Sequence, residues 1–174
     1  MKRFTLLLIL ISIVATSSNA QKILGFGGEL SILSLKPTYR YWFNKTSGIS
    51  FFGGIASELD DFKPNDLEAG VTYLHTLISN RADRTYIGLT GKWKWVNVYG
   101  SNMTANLPIP GIFIGKEWFD KRRKSKGLAI ELGYQVGSKN LIASDPNGII
   151  SGKNTYEEFP LILNLRYSFY KKKK

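Results

Sequence analysis

The sequence of 174 residues contains no cysteine and a single histidine, His75. The absence of cysteine excludes disulfide bonds and thiolate metal sites, and it excludes a lipid-modified N-terminus, which requires a cysteine directly after the leader. Beyond residue 20, the sequence also lacks any segment with sustained helical periodicity. We therefore expect a fold built from strands and held without covalent cross-links.

The first twenty residues have the layout of a secretory signal peptide. Two basic residues, Lys2 and Arg3, precede an apolar stretch from Leu6 to Ala15, and small residues close the segment at Ala20. The apolar stretch is shorter than the roughly 20 residues that a membrane-spanning helix needs. We expect cleavage before Gln21, which leaves residues 21–174 as one exported domain with a short basic C-terminal tail.

The composition is strongly basic, with 24 Lys and Arg against 13 Asp and Glu. Removal of Lys2 and Arg3 with the leader leaves a formal charge of +9. A cytosolic protein with this balance would suggest a nucleic-acid partner. Export makes nucleic acid a poor candidate and favours anionic lipid, lipopolysaccharide phosphates or cell-wall polymers.

Several stretches alternate large apolar residues with small or polar residues, which is typical of strands with two different faces. The clearest stretch has Leu128, Ile130, Leu132, Tyr134 and Val136 on one face and Ala129, Glu131, Gly133, Gln135 and Gly137 on the other. Small residues suit a crowded, narrow lumen, and strands of about ten residues have the length that a tilted strand needs to cross a bilayer. The pattern favours a membrane barrel over a soluble sandwich or a lipocalin-like barrel, whose apolar faces would point inward.

We predict an all-β, antiparallel, up-and-down barrel of about eight strands. The predicted strands are Ile23–Ser34, Pro37–Phe43, Gly48–Ala56, Leu67–Ile78, Arg84–Val96, Pro110–Phe119, Lys126–Gly137 and Phe159–Tyr170. From the second strand onward, short and long connections alternate, as expected for periplasmic turns and external loops with both termini in the periplasm. The longest predicted external loop is Ser138–Glu158.

Two places fit this scheme less well. Leu35 and Lys36 leave almost no loop in the first hairpin, so either the loop is very short or the first strand is misplaced. Pro108 and Pro110 cannot donate to a strand ladder, so we expect the pairing of the sixth strand to begin after them. The adjacent charges of Lys116 and Glu117 leave the facing of that strand open.

Aromatic residues cluster at strand ends, where amphipathic rings would settle at the two membrane interfaces. The predicted girdle contains Tyr41, Phe43, Trp93, Trp95, Trp118, Tyr167 and Phe169, accompanied by Tyr39, Trp42, Phe51 and Phe119.

Charged residues also occur on the predicted inner face. They are Glu29, Arg40, Lys92, Lys94, Glu131 and Arg166. Because the interior of an eight-stranded barrel is only wide enough for side chains to fill, we expect these charges to pair and form a plug. The alternative is a selective pore in which Lys92 and Lys94 attract anions.

Two basic clusters are expected on the periplasmic side. One predicted patch comprises Lys121, Arg122, Arg123 and Lys124 of a short turn, with Lys171 and Lys172 at the C-terminus. These residues could attract anionic headgroups or peptidoglycan-associated partners, or could be gatekeeping charges that aid solubility during transit.

The whole mature sequence resembles the small bacterial outer-membrane barrels of the outer-membrane protein A, X and W kind. The resemblance rests on the parity of loop lengths and on the terminal strand Leu161 to Tyr170, where Tyr167 and Phe169 resemble the aromatic-ended signal read by the barrel assembly machinery. It implies a monomer in the cell outer membrane, in contact with lipid and lipopolysaccharide and inserted by that machinery. The tail of lysines after Tyr170 departs from the family pattern.

His75 falls on the predicted lipid face, as does a catalytic histidine in outer-membrane lipid A deacylases, but the local sequence lacks the neighbouring serine of that family. An acidic group including Asp66 and Glu68 could offer oxygen ligands to a cation, yet it lacks the spacing of a calcium loop. We predict no catalytic residue, cofactor or metal. The expected function is structural or surface interaction, with transport of small or apolar molecules, lipid A modification and a soluble periplasmic ligand-binding barrel as alternatives.

Overall fold

A computed structural model gives the fold. It describes residues 23–32, 34–56, 66–80, 82–97, 104–120, 125–144 and 150–172. The predicted signal peptide, residues 1–20, lies outside the described residues, as do residues 121–124 of the basic turn.

The described chain forms ten strands. They are β1 (Ile23–Ser31), β2 (Ser34–Trp42), β3 (Ser47–Ala56), β4 (Asp66–Ser79), β5 (Asp83–Asn97), β6 (Thr104–Phe119), β7 (Lys126–Gln135), β8 (Ser138–Ser144), β9 (Ile150–Glu157) and β10 (Leu161–Lys172). Eight of them close into a barrel in the order β1-β10-β7-β6-β5-β4-β3-β2, with every neighbour antiparallel. The predicted eight-stranded barrel is therefore confirmed. Among the described residues, none forms a helix long and apolar enough to cross a membrane.

The two-residue period of each strand separates an apolar outer face from a polar interior. On β7 and β10, the leucines Leu128, Leu132, Leu163 and Leu165 are exposed on the outside. Glu131 lies between Leu128 and Leu132 on β7 and is buried in the lumen. The faces predicted from the sequence of these two strands are confirmed.

The remaining strands, β8 and β9, lie within the long loop predicted for residues 138–158 and form a separate two-stranded sheet. This hairpin continues the register of β7 and β10, since Tyr134 faces Leu161 and Ser138 faces Glu157. Between the two sheets, the Gln135 amide donates to the Pro160 carbonyl at 2.8 Å. We call the end of the barrel from which β8 and β9 project the hairpin end, and the end that holds the start of β1 the terminal end.

The sixth strand differs from the prediction, because pairing begins at Thr104 instead of after the prolines. Pro108 faces Trp93 and Pro110 faces Gly91 of β5, while β7 pairs only from Gly111 onward. The Pro110 carbonyl accepts from the Val136 amide at 2.9 Å, so its nitrogen side also faces away from β5. The missing amide hydrogens therefore leave the β5 ladder intact.

The boundaries of the first and last strands also shift. Leu35 and Lys36 belong to β2, so the first connection is the very short one that the sequence left open, from Ser31 to Ser34. At the other terminus, β10 continues beyond Tyr170, and Lys171 and Lys172 pair with β1.

Candidate functional site: the barrel lumen

The lumen is the part of the barrel where polar chemistry is concentrated. All six residues predicted to face inward are buried there: Glu29, Arg40, Lys92, Lys94, Glu131 and Arg166. Each lies on a barrel strand whose other face is apolar, so the strand period directs the charge inward.

Six further charged side chains of the described residues are buried in the same interior. They are Lys36, Asp66, Glu68, Arg84, Glu117 and Glu158. Sequence reasoning placed Lys36 in a turn, Asp66 and Glu68 in a possible cation-binding loop, and Glu158 at the end of a loop. The strand period could have identified Lys36, because it stands four residues before the inward Arg40 on β2.

The first part of the ion-pair chain lies near the terminal end. Arg84 Nη2 is 2.6 Å from Glu117 Oε2, which is also 3.5 Å from Arg40 Nη1. Arg40 then spans the lumen to β7, with its Nη2 atom 3.1 Å from Glu131 Oε1. Two tyrosine hydroxyls join this cluster: Tyr86 donates to Glu131 at 2.6 Å, and Tyr170 donates to Glu117.

The chain continues through the middle of the barrel. The other oxygen of Glu131, Oε2, is 3.1 Å from Arg166 Nη2, and Arg166 also pairs with Glu29 of β1. Glu29 Oε1 in turn lies 3.2 Å from Lys36 Nζ. Each carboxylate here touches basic groups from two different strands.

The last part reaches the hairpin end. Lys36 Nζ is 2.8 Å from Glu68 Oε1, and Lys92 Nζ is 3.2 Å from Glu68 Oε2. Lys92 also contacts Glu158 at 2.8 Å. Lys94 Nζ then lies 3.2 Å from both Glu158 and Asp66.

Basic and acidic groups therefore alternate along one continuous chain from Arg84 to Asp66, and its six positive and six negative charges cancel. Buried charges require such pairing, because removing one partner of a buried pair costs about 3–5 kcal/mol. The excess of basic over acidic residues in the sequence is therefore not located in this ion-pair chain.

Large rings fill the rest of the terminal half of the lumen. Tyr86 lies over Gly115, where an added Cβ would be 2.6 Å from the ring. Trp42 is fully buried, and the Arg84 guanidinium stands 3.6 Å from the centre of its ring. The prediction that Trp42 belongs to the membrane girdle was wrong. Trp42 stands two residues after Arg40 on β2, so both side chains lie on the inner face of the strand.

Small spaces remain between the side chains of the hairpin half. One cavity of about 30 Å³ is lined by residues that include Glu29, Lys36, Lys92 and Arg166. A second, of about 20 Å³, is bordered by Lys92, Lys94 and Glu158. Polar spaces of this size hold one or two water molecules.

The predicted girdle residues lie as follows. Trp93, Trp95, Trp118, Tyr167 and Phe169 are exposed on the outer surface, whereas Tyr41 and Phe43 are half-buried. Two pairs of rings meet edge to face, Tyr41 with Phe43 at 5.1 Å and Tyr167 with Phe169 at 5.0 Å between centroids. Both pairs lie at the terminal end.

Part of the predicted basic patch can be placed. Lys171 is exposed at the terminal end, and Lys172 is the last residue of β10. Lys121, Arg122, Arg123 and Lys124 lie outside the described residues. Lys126, at the start of β7, is exposed at the same end and places its Nζ atom 5.9 Å from the Phe169 ring centre.

His75 is exposed on the outer face of β4 and lies opposite Ser47 of β3. The Ser47 hydroxyl accepts a hydrogen bond from the Tyr73 hydroxyl at 3.3 Å. Among the described residues, no group of three or more histidine or acidic side chains is arranged to hold a metal ion. Asp66 and Glu68 instead form ion pairs with lysines.

Glu158 differs from the other lumen acids because it lies between β9 and β10. Burial alone would raise the pKa of its carboxyl group, but the positive charges of Lys92 and Lys94 outweigh burial and lower the pKa below its ordinary value. The site therefore holds Glu158 as a carboxylate.

Comparisons with known proteins address the fold. A scan against protein-family models gives no match, and a search of curated proteins gives no significant match. The chain is similar in structure to the N-terminal β-barrel domain of Pseudomonas aeruginosa OprF, with a TM-score of 0.59 and 8% identity over 87% of this chain and 98% of that chain. It also matches Neisserial surface protein A (NspA), with a TM-score of 0.44 and 13% identity over 86% and 94% of the two chains. The chain has the fold of a small eight-stranded outer-membrane barrel. This is the fold that the resemblance in its sequence implies.

Proposed function

We propose that the protein is an integral outer-membrane barrel with a structural or surface-interaction role and no enzymatic activity. The observation that carries this proposal is the inverted polarity of the barrel. Large apolar side chains such as Leu89, Leu132 and Leu163 are exposed on the outside, while the interior is filled by ion pairs. A water-soluble barrel would have the opposite arrangement, because exposed apolar surface of this extent is unfavourable in water.

The proposed orientation places the terminal end in the periplasm and the hairpin end outside the cell. In this orientation, the short connections from Trp42 to Ser47 and from Ser79 to Asp83 face the periplasm, as is usual for membrane barrels. The signal peptide at residues 1–20 would direct export. The aromatic end of β10 would be presented to the barrel assembly machinery, which would insert a monomer into lipid and lipopolysaccharide.

The β8–β9 hairpin is the proposed interaction surface. It prolongs β7 and β10 beyond the barrel as a paired antiparallel unit. An edge strand outside the barrel offers backbone donors and acceptors that a partner strand can use.

A transport role has less support. The lumen cavity of about 30 Å³ is too small for a solute, and passage would require several buried ion pairs to separate together. Lipid A modification is also poorly supported, because in the described part of the chain His75 lies opposite Ser47 without a hydrogen bond that would let the imidazole activate the serine hydroxyl.

Membrane fractionation followed by gel electrophoresis with and without boiling tests the proposal. An outer-membrane band whose mobility changes on heating is the expected result, since folded membrane barrels resist detergent until heated. Release into the aqueous fraction without a mobility shift would overturn the membrane assignment. Steady ion conductance through the purified barrel in a planar bilayer would overturn the proposal that the lumen is closed.

A further inference from the structure

Glu158 is the one acidic member of the ion-pair chain, among the described residues, that does not belong to a barrel strand. The other five acids are fixed by the hydrogen-bonded walls. Glu158 instead comes from the three residues between β9 and β10, where the regular pairing of the barrel and the hairpin is interrupted.

The donors around Glu158 form a site that fits one carboxylate group. Lys92 Nζ approaches Oε1 at 2.8 Å and Lys94 Nζ approaches Oε2 at 3.2 Å, so each oxygen has its own ammonium group. Gln135 Nε2 donates a third hydrogen bond to Oε1 at 3.3 Å. Lys92 and Lys94 stand two residues apart on β5 and Gln135 ends β7, so barrel strands hold all three donors.

The charges that face this site leave it in need of one anion. Glu68 contacts Lys92 at 3.2 Å and Asp66 contacts Lys94 at 3.2 Å, while Glu68 is shared with Lys36. Over the whole ion-pair chain, where Lys36 also pairs with Glu29, six basic groups would face only five acids if Glu158 were absent. Glu158 supplies the remaining negative charge.

We propose that Lys92, Lys94 and Gln135 form a binding site for a small oxyanion, a carboxylate or inorganic phosphate, and that Glu158 is an internal ligand that occupies it. An incoming anion replaces the Glu158 carboxylate when the segment from Glu158 to Pro160 moves away from the mouth of the barrel. The movement breaks three further hydrogen bonds of this segment. Glu158 N donates to Gly137 O and Gln135 N donates to Pro160 O, each at 2.8 Å, and Gln135 Nε2 donates to Phe159 O at 2.7 Å.

The exchange links the site to the hairpin. Glu157, the last residue of β9, directly precedes Glu158 and pairs with Ser138, the first residue of β8. Displacement of the carboxylate releases the root of the β8–β9 hairpin from the lumen. This inference goes beyond the proposed structural role and depends on it only for the assignment of the hairpin end to the outer surface.

The test uses the full mature chain, folded in detergent, and follows the temperature at which the folded band disappears from a gel. Sodium chloride is replaced stepwise by sodium acetate or sodium phosphate at constant ionic strength. Glu158→Ala should melt at a lower temperature than the wild type in chloride, and either oxyanion should raise its midpoint by several degrees with saturation. The wild type should respond in the same direction only at higher concentrations, because Glu158 competes.

Two matched variants and one fallback complete the design. Glu157→Ala changes the adjacent, exposed acid and should behave like the wild type. Glu158→Ala combined with Lys94→Met should lose the oxyanion response. If Glu158→Ala does not fold, Glu158→Gln keeps the side-chain volume and should respond at lower oxyanion concentration than the wild type.

Equal effects of chloride and oxyanions on the Glu158 variants would overturn the site, as would a full response in the double variant. A wild type that does not respond at any concentration would overturn the exchange. In either case the band could still shift on heating, so failure of this inference is distinguishable from failure of the outer-membrane proposal.

Discussion

Arg40 of β2 and Glu131 of β7 join opposite walls of the barrel, with Nη2 of the arginine 3.1 Å from Oε1 of the glutamate. Three steps around the sheet, through β1 and β10, separate the two strands. The contact therefore crosses the lumen instead of following the wall. Both side chains are buried, so the pair acts as a strut between strands that share no backbone hydrogen bonds.

Replacement of Arg40 by methionine should strongly destabilise the barrel. It leaves Glu117 and Glu131 buried with one arginine fewer, and the loss of one partner of a buried ion pair costs about 3–5 kcal/mol. The free energy of unfolding, measured by urea titration from lipid vesicles, should fall by that amount. Lys116→Ala is the control: its half-exposed ammonium lies 3.8 Å from Asp83, and its loss should cost below about 1 kcal/mol. Equal losses in free energy of unfolding for the two variants would contradict a stabilising role of the Arg40–Glu131 ion pair.

The fit between rings and glycines gives a second prediction. A Cβ at Gly115 would lie 2.6 Å from the Tyr86 ring, which is fully buried and bonded to Glu131, so the ring cannot move aside freely. Gly115→Ala should reduce the free energy of unfolding by about 1–3 kcal/mol, as expected for overpacking.

Gly91 provides the matched control, because it lies on the outer face of β5 and a Cβ there would meet nothing within 4 Å. Gly91→Ala should be neutral or stabilising by up to about 1 kcal/mol, since glycine weakens a strand interior. If the free energy of unfolding falls by a similar amount in both variants, the cost comes from the strand backbone at each glycine and not from contact with the Tyr86 ring.

The barrel itself could be predicted from the sequence because its strands have two chemically opposite faces. In β7, Glu131 lies between Ile130 and Leu132, and a period of two follows directly from that contrast. In β8 and β9 the sequence lacks this alternation, so residues 138–158 were predicted to form a loop. Their pairing follows from the register that β7 and β10 establish.

The partners of the lumen charges could not be predicted in the same way. The strand period indicates that Arg40 and Glu131 face inward, but which charges meet across the lumen depends on the tilt and stagger of the closed sheet. The facing of Glu117 could not be predicted either, because it directly follows Lys116 and the sequence alone allows either charged residue to face the lumen. The register of Glu117 with Ala129 of β7 resolves the facing, since Ala129 is buried in the lumen.

The lowered pKa of Glu158 predicts a dependence of stability on pH. A carboxyl group whose pKa is lower in the folded state than its ordinary 4.5 contributes stability that is present above that value and lost as pH falls through the folded pKa. Glu158→Gln removes this contribution. The free energies of unfolding of wild type and variant should therefore differ most near neutral pH and converge as pH falls below 4.5.

Urea titrations at successive pH values measure this difference. Glu157→Gln serves as the control, because Glu157 is exposed, and its curve should follow that of the wild type at every pH. A gap between wild type and Glu158→Gln that stays constant down to low pH would show that the variant acts through shape and not through charge.

The outward apolar face predicts that the cost of a surface charge depends on its depth in the membrane. Leu165 lies near the middle of β10, is 45% exposed on the outer face, and pairs with Leu30 and Ile130. Leu161 has the same facing and is 56% exposed, but it stands at the hairpin end of the strand. Arginine at the bilayer midplane costs about 2–4 kcal/mol, falling to about 0–1 kcal/mol near the interface.

Leu165→Arg should accordingly lower the free energy of unfolding in lipid vesicles by about 2–4 kcal/mol, and Leu161→Arg by about 1 kcal/mol or less. In detergent micelles, the losses in free energy of unfolding for these two variants should differ less. A micelle has no fixed midplane, and its aqueous surface lies close to every outward side chain. A larger cost at Leu161 than at Leu165 would place the hydrocarbon layer at the hairpin end instead of around the middle of β10. Equal small costs at both positions in vesicles would mean that lipid does not surround this face, and the outward leucines would then need a protein partner to cover them.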